Sequence, residues 1–438
     1  MGVGVAHIGI VAPAFPSHLA ALCALADRLR ACGHRVSFLL PEYCRRWVGP
    51  EHGLIPVDRE HPLPLSVEAM IARASNPRGP LRFKRMLDDV ARMTDVLCAR
   101  LPDIIGAAGI DALLVDQMET AGALVARSMN LPYLSVACAL PLDRDPALPP
   151  PFLGWAFDAS EQGMKRNQGG YRVSELLMRR HRRILSQWAE RFGVDARAME
   201  ACLSPLGTVA QLHEALDFPR AHPAPSLHRV GPFRSAAPER AVCQARTNTP
   251  VDVFASLGTL QGWRFSVFLN LARACRRIHR TLLITHCGQL DDRQCARLTR
   301  EGAEVVANVD QREVMTTARV VVTHGGLNTV MDALDAGVPM LVLPIAFDQP
   351  GVAARVVYHG IGLSAPFRAR PKALAKRLSR LLDEPGFSAA MAKVMSRGEH
   401  RQGASRACEL IEAILLRQVH ETRSVYSGLE ARSSEVRS

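Results

Sequence analysis

From Val320 to Gln349 the chain reads VVVTHGGLNTVMDALDAGVPMLVLPIAFDQ. His324-Gly325-Gly326 is a turn that a side chain at its second or third position would crowd. It lies between a β-branched run, Val320–Thr323, and a helical pattern reaching about Ala336. A strand, glycine turn and helix make an anion site. The helix N-terminus offers unpaired N–H groups and roughly half a positive charge, and glycine lets a phosphate approach the backbone. His324 and the Thr329 hydroxyl add donors, and Asn328 falls in the first helical turn. Gly337 ends the helix, Pro339 prevents its continuation, and Met340–Leu343 returns as a second buried strand leading to Asp348-Gln349. Adjacent strand ends of an open parallel sheet face one crevice. A carboxylate and an amide beyond a phosphate cradle suit a polyhydroxylated group carried by that phosphate, which describes a nucleotide sugar.

A second set of reactive residues lies near the other terminus. His18 ends a loop, Pro13–His18, after a first strand, His7–Ala12, at the entry of a helix expected over Leu19–Ala31; Gly33 closes the helix and Arg35–Leu40 is the next strand. This is a βαβ unit whose first turn lacks G-x-G-x-x-G, which disfavours a dinucleotide cofactor. Ala112–Val115 is a third buried strand, ending in Asp116 with Gln117 beside it. An acid at the C-terminal end of a parallel strand points into the crevice that the first βα loop also faces. A histidine with a buried aspartate is a base and its orienter: the carboxylate fixes the tautomer and stabilises the imidazolium formed on proton abstraction.

The run His324-Gly325-Gly326-Leu327-Asn328-Thr329, then Asp332, Gly337-Val338-Pro339 and Phe347-Asp348-Gln349, resembles the donor signature of the family 1 glycosyltransferases. That resemblance implies the GT-B fold: two doubly wound parallel-sheet, Rossmann-like domains facing across a cleft. It implies a UDP-sugar donor, with His324, Gly326, Asn328 and Thr329 at the diphosphate, Asp332 at the ribose and Asp348 and Gln349 at the sugar. Asp332 stands where the family usually has Glu. Plant members stack a Trp on the uracil; the equivalent stretch here, Asn308-Val309-Asp310-Gln311, has no aromatic, and Gln311 completes the donor set. Ser256, Gly258 and Thr259, in the turn after the strand Val251–Ala255, are expected opposite the signature, near the diphosphate. His18 and Asp116 match the family's catalytic pair. Ile10–His18, Leu114–Gln117 with Ser135–Leu142, and Thr323–Gly362 are further similar to the bacterial zeaxanthin glucosyltransferases, which transfer glucose from UDP-glucose to the ring hydroxyls of a carotenoid.

The elements that must position these residues follow. A chain of 438 residues is too long for one ordinary core. The expected division is an acceptor-binding domain over 1–217, a connection over 218–250, a donor domain over 251–400, and a crossing helix with a disordered tail over 401–438. Tyr133–Ala137 reads as a strand, Ser174–Arg191 as a helix, Leu282–Thr285 and Glu304–Val306 as strands, and Lys372–Leu382 and Gly403–Leu416 as amphipathic helices. ALPLDRDPALPPPFLGW, 139–155, carries five prolines and little periodicity, so it is a long loop over the crevice. Its Phe152 and Trp155, with Phe157 beyond, give it a character suited to a lipophilic acceptor; Phe15 and Gln117 join Phe152 and Trp155 as acceptor-side candidates.

Hydrophobic residues make up 48% of the chain and eleven cysteines are scattered without CxxC or zinc spacing, as suits a reducing cytoplasm. The longest apolar run, Val338–Phe347, falls short of the roughly 20 residues that span a bilayer. Net charge is +12, but no aromatics interleave with its densest run, Arg179–Arg183, so nucleic acid is not the expected partner. A cytoplasmic location is expected, with peripheral membrane contact through an apolar, basic face of the first domain. No DxD-type carboxylate pair is placed to hold a metal, and no cofactor is expected. The expected activity is inverting transfer of glucose from UDP-glucose to a lipophilic hydroxyl, zeaxanthin first. A polyketide or macrolide acceptor is the alternative, ahead of a sugar-nucleotide epimerase or a binding-only protein, neither of which needs the His18–Asp116 pair.

Overall fold

The structure is a computed structural model that describes residues 5–77, 79–196, 198–220, 222, 226–234, 250–397 and 403–419. Positions 235–249 of the expected connection, and the tail expected from Glu421 onward, lie outside the described residues.

Among the described residues, thirteen strands form two sheets, and every neighbouring pair is parallel. The first sheet contains β1 (His7–Val11), β2 (Arg35–Leu40), β3 (Gly53–Pro56), β4 (Ala112–Asp116), β5 (Tyr133–Ala137), β6 (Thr208–Ala210) and β7 (Leu227–Arg229), in the order 3-2-1-4-5-6-7. The second contains β8 (Val253–Ser256), β9 (Leu282–Thr285), β10 (Ala303–Val306), β11 (Val320–Thr323), β12 (Met340–Val342) and β13 (Gly362–Ser364), in the order 10-9-8-11-12-13. Helices cover both faces of such sheets, which is why the central strands read as unbroken apolar runs: all five residues of β1, β4 and β5 are buried.

Strand order places the chemistry. In each sheet the order reverses once, between β1 and β4 in the first and between β8 and β11 in the second. Loops leaving two strands at such a reversal diverge to opposite faces and open a crevice between them. Val11 pairs with Val115, and Thr323 with Ser256. His18 and Asp116 therefore flank one reversal, and the Ser256–Thr259 turn and the His324–Gly326 turn flank the other.

Several elements differ from their expected form. The first helix is Pro16–Ala31, because Pro16 takes the first helical position after an extended Phe15, where a missing N–H costs nothing. His18 is thus in the first turn of the helix rather than in the loop before it. The segment expected as one helix, Ser174–Arg191, is two: Glu161–Leu177, capped by the Ser160 side chain, and Arg179–Phe192, meeting at Met178. Leu227–Arg229, inside the expected connection, is the edge strand β7; three residues are too few to show a strand pattern. The longest helix among the described residues, Pro80–Ala108, contains Pro102. The helix Gly403–Ile411 packs against Pro16–Ala31, and its Ala404, Ala407, Cys408 and Ile411 join the core of the first domain.

Candidate active site

A cavity of about 1740 Å³ lies between the two sheets and takes its walls from both, well above the roughly 300–1,000 Å³ of an ordinary small-molecule site. His18, Phe15, Phe152 and Trp155 line it from the first domain. Ser256, Gly258, Thr259 and Gln311 line it from the second, as do His324, Gly326, Asn328, Thr329, Asp332, Asp348 and Gln349. Two candidates are not in the lining. Asp116 lies beneath His18. Gln117 is buried, and both ends of its amide are committed to backbone, Nε2 to the Leu140 carbonyl at 2.9 Å and Oε1 to the Leu142 N–H at 3.0 Å. Expected on the acceptor side, Gln117 is instead tied to the backbone of the 139–155 loop and does not reach the cavity wall.

At the first reversal, His18 Nδ1 lies 2.7 Å from Asp116 Oδ2. The other Asp116 oxygen accepts the Met118 N–H at 2.9 Å. Asp116 is fully buried and His18 only 13% exposed, so the carboxylate has the imidazole as its neighbour in place of water. Burial acts to lower the His18 pKa, but the charge and hydrogen bond of Asp116, with Asp348 further off, outweigh it and leave the pKa raised. Nδ1 is occupied, so Nε2 is the nitrogen left to take a proton. The Cys138 thiol, which the sequence did not single out, adjoins Asp116 and is kept protonated chiefly by burial. His18, Asp116 and Cys138 bring three potential metal-ligating atoms within 4.8 Å of one another; the 2.7 Å hydrogen bond already uses two of them.

At the second reversal, the His324 ring is held between two glycines. A Cβ on Gly258 would fall 2.7 Å from its Cε1, and one on Gly326 would fall 2.6 Å from the same atom. Burial, aided by the Arg264 charge, pushes the His324 pKa down to about 4, so the ring is neutral at pH 7. Its Nδ1 is buried without a hydrogen-bond partner. A buried polar atom left unsatisfied beside a helix N-terminus fits a site that is completed by an anionic ligand.

Six further donor-side candidates, Ser256, Gln311, Asn328, Asp332, Asp348 and Gln349, are already engaged through their side chains. Asn328 accepts from Gln211 Nε2 at 2.8 Å and donates to the Ser17 carbonyl at 3.0 Å. It therefore ties the anion turn to the residue preceding His18. Asp332 accepts from Arg234 Nε at 2.7 Å and from Gln311 Nε2 at 2.5 Å. Arg234 also donates to the Asn328 carbonyl at 2.8 Å. It lines the cavity, and only the fold could place it there, since it arrives from the connection. Asp348 accepts the Leu140 N–H at 3.0 Å, and burial raises its pKa. Gln349 Oε1 accepts from the Ile345 and Ala346 N–H groups, both at 2.9 Å. Ser256 Oγ holds the Gly258 N–H at 3.4 Å, shaping the second anion turn.

On the acceptor side, the Phe15 ring lies 6.0 Å from His18 and 5.9 Å from Phe347. Phe157, expected to add to the apolar loop, turns away instead and stacks 5.3 Å from Phe218. Glu119 was not foreseen: it is buried in the lining with a pKa raised to about 7 by burial. The literal DxD of the chain, Asp143-Arg144-Asp145, is spent on structure. Asp143 pairs with Arg220, and Asp145 accepts the Ala147 and His222 N–H groups at 2.8 Å each.

A family model described as the C-terminal domain of erythromycin biosynthesis protein CIII-like proteins matches residues 287–404. The zeaxanthin glucosyltransferase of Pantoea ananas is 39% identical over 93% of this chain and 96% of its own. That of Pseudescherichia vulneris is 40% identical over 93% and 97%. Among solved structures, the glycotransferase of kitacinnamycin superposes with a TM-score of 0.72 at 20% identity, covering 94% of this chain and all of that one. The calicheamicin glycosyltransferase CalG4 gives 0.69 at 19% identity, covering 94% and 98%. At such identity over nearly the full length of its relatives, the chain belongs to the family of the zeaxanthin glucosyltransferases and is a glycosyltransferase of GT-B fold.

Proposed function

We propose that this enzyme transfers glucose from UDP-glucose to a hydroxyl of a lipophilic acceptor, zeaxanthin, by a single inverting displacement. The observation that carries the reading is the opening of the His18–Asp116 pair and the His324–Gly326 anion turn into one cavity. His18 Nε2 takes the acceptor hydroxyl proton while Asp116 holds the imidazolium. The acceptor oxygen bonds to the anomeric carbon as the bond from that carbon to the UDP oxygen breaks, so an α-linked donor gives a β-glucoside. The leaving diphosphate is met by the helix N-terminus at Gly326, by His324 and by the Ser256–Thr259 turn, fixed dipoles that need no reorganisation as charge develops. Asp348 and Gln349 meet the sugar hydroxyls. Asp348 is near enough to help raise the His18 pKa, as the sugar-binding end should be if the anomeric carbon is to face the base. In this reading the step requires no metal ion. The two full-length relatives, both zeaxanthin glucosyltransferases, and the apolar acceptor wall support the choice of acceptor.

The test is a product assay by mass spectrometry with UDP-glucose, detergent-dispersed zeaxanthin and EDTA, alongside His18→Ala. A gain of one or two hexoses that the variant loses by about 10²- to 10⁴-fold, with UDP affinity unchanged, is expected. UDP-glucose binding without product on zeaxanthin, but with product on a macrolide, would replace the acceptor and leave the mechanism.

A further inference from the structure

The mouth of the acceptor side is apolar, basic and uncovered. On the helix Glu161–Leu177, Val173, Leu176 and Leu177 recur at i, i+3 and i+4, the spacing of a face that packs inward. Here they point out, 58%, 65% and 48% exposed. Leu81, in the first turn of Pro80–Ala108, is 69% exposed. The two helix ends belong to one rim. Phe83 and Leu87 line the same cavity as Val173 and Leu177, and Arg180 Nη1 holds Asp88 Oδ1 at 2.8 Å across the junction.

Charge around these leucines has one sign. The neighbouring acids are neutralised from within: Asp88 by Arg180, Asp89 by Arg73, and Glu175 by Arg144 and Arg182. Arg82, Lys84, Arg85, Arg172, Arg179 and Arg183 are exposed, and the described residues give none of them an acidic partner. Exposed leucines ringed by unpaired cations match an anionic lipid surface, with apolar side chains entering the acyl boundary and cations lying at the headgroups. No helix among the described residues is long and apolar enough to cross a membrane, so the contact is peripheral.

We infer that the rim formed by the start of Pro80–Ala108 and the end of Glu161–Leu177 docks on anionic lipid and holds the acceptor mouth against the bilayer. The inference rests on the reading that the acceptor is lipophilic: docking lets such a molecule pass from lipid into the cavity without crossing water.

The test is flotation of the full chain with phosphatidylcholine vesicles, with and without phosphatidylglycerol, at low and high salt. Neither donor nor acceptor is needed, so a wrong acceptor assignment leaves the result interpretable. Wild type should float with phosphatidylglycerol at low salt and be released by high salt. Leu81→Asp/Leu176→Asp, at two exposed positions outside the cavity lining, should lose flotation. It should also lose at least about tenfold in turnover of acceptor embedded in vesicles, while keeping turnover of detergent-dispersed acceptor. Arg82→Glu/Arg179→Glu should abolish the preference for phosphatidylglycerol. A wild type that stays unbound, a leucine variant that floats as wild type does, or a dimer in sedimentation that the leucine variant dissociates would each overturn the inference, the last by assigning the rim to a second copy of the chain.

Discussion

In the proposed mechanism His18 must be unprotonated to accept a proton, and this makes its raised pKa an observable. In the free enzyme the acid limb of kcat/KM should lie above the 6.5 of an ordinary imidazole, with activity rising as pH passes through it. The Asp116 charge raises that pKa against burial, so Asp116→Asn should move the limb to lower pH. It should also reduce the plateau by roughly 10²-fold or more, because the imidazolium formed in transfer loses its counter-charge. A limb that stays in place in the variant would assign the titration to another group, with Glu119, held at about 7, the first to examine. At this scale the sequence was legible where a reactive residue sits at a strand end. His18, Asp116 and His324 were readable because parallel strands aim their C-terminal ends into one crevice. Arg234, Cys138 and Glu119 were not, since each owes its place to a loop path or to burial that no local pattern encodes. Gln117 misled for the converse reason: adjacency to Asp116 in sequence put its side chain on the far side of the loop.

For the elements, the glycine turns are the parts a single atom can break. Gly326 has φ −61°, which alanine accepts without strain, so a substitution there acts only through space. Its Cβ would overlap the His324 ring, and the Gly258 backbone also lies close to that ring. Gly326→Ala should therefore displace the imidazole and weaken UDP binding by roughly tenfold or more, given about 1–3 kcal/mol for such overpacking. Calorimetric titration with UDP measures this, and unchanged affinity would remove His324 from the phosphate cradle. The strand–turn–helix units that build both crevices were legible because their apolar runs are short, bounded by Gly and Pro, and end at polar tips. What escaped was structure whose pattern is diluted. Pro80–Ala108 opens with charged residues and carries Pro102, and β6, β7 and β13, three residues each, lack the flanking Gly-Val-Pro break that made the equally short β12 readable. The break at Met178 has no helix-breaking residue to announce it.

Across the whole molecule, the proposed mechanism needs two sheets held at a fixed spacing, because the base it assigns stands on one and the donor cradle it assigns on the other. Part of that spacing is set by Asp217, whose side chain is fully buried and receives Arg355 Nε and Nη2 at 3.0 and 2.9 Å, Arg220 Nε at 2.8 Å and Arg229 Nη1 at 3.3 Å. Arg355 lies on the helix Gln349–Tyr358, the helix that begins with a sugar-side candidate, and its guanidinium rests 4.4 Å from the Phe218 ring. Burial opposes the Asp217 charge, but Arg355 and Arg220 overcome it and hold the carboxyl below its usual pKa. Asp217→Ala leaves the buried Arg355 guanidinium without its paired carboxylate, while Arg220 keeps Asp143, and removing one partner of a buried pair costs about 3–5 kcal/mol. The sign with pH follows from the depressed pKa. The stabilisation is complete above the unfolded value near 3.9 and is lost as pH falls through the folded value. Urea midpoints of wild type and Asp217→Ala should thus be far apart at pH 7 and converge toward acid. The variant should also show a raised KM for UDP-glucose, since the helix bearing Gln349 loses its tether. Midpoints that differ equally at all pH values would mean that Asp217 acts by packing, and the electrostatic link between the two sheets would then rest on other bonds across the cleft, Asn328–Ser17, Gln211–Asn328, His213–Asp335 and Asp348–Leu140 among them.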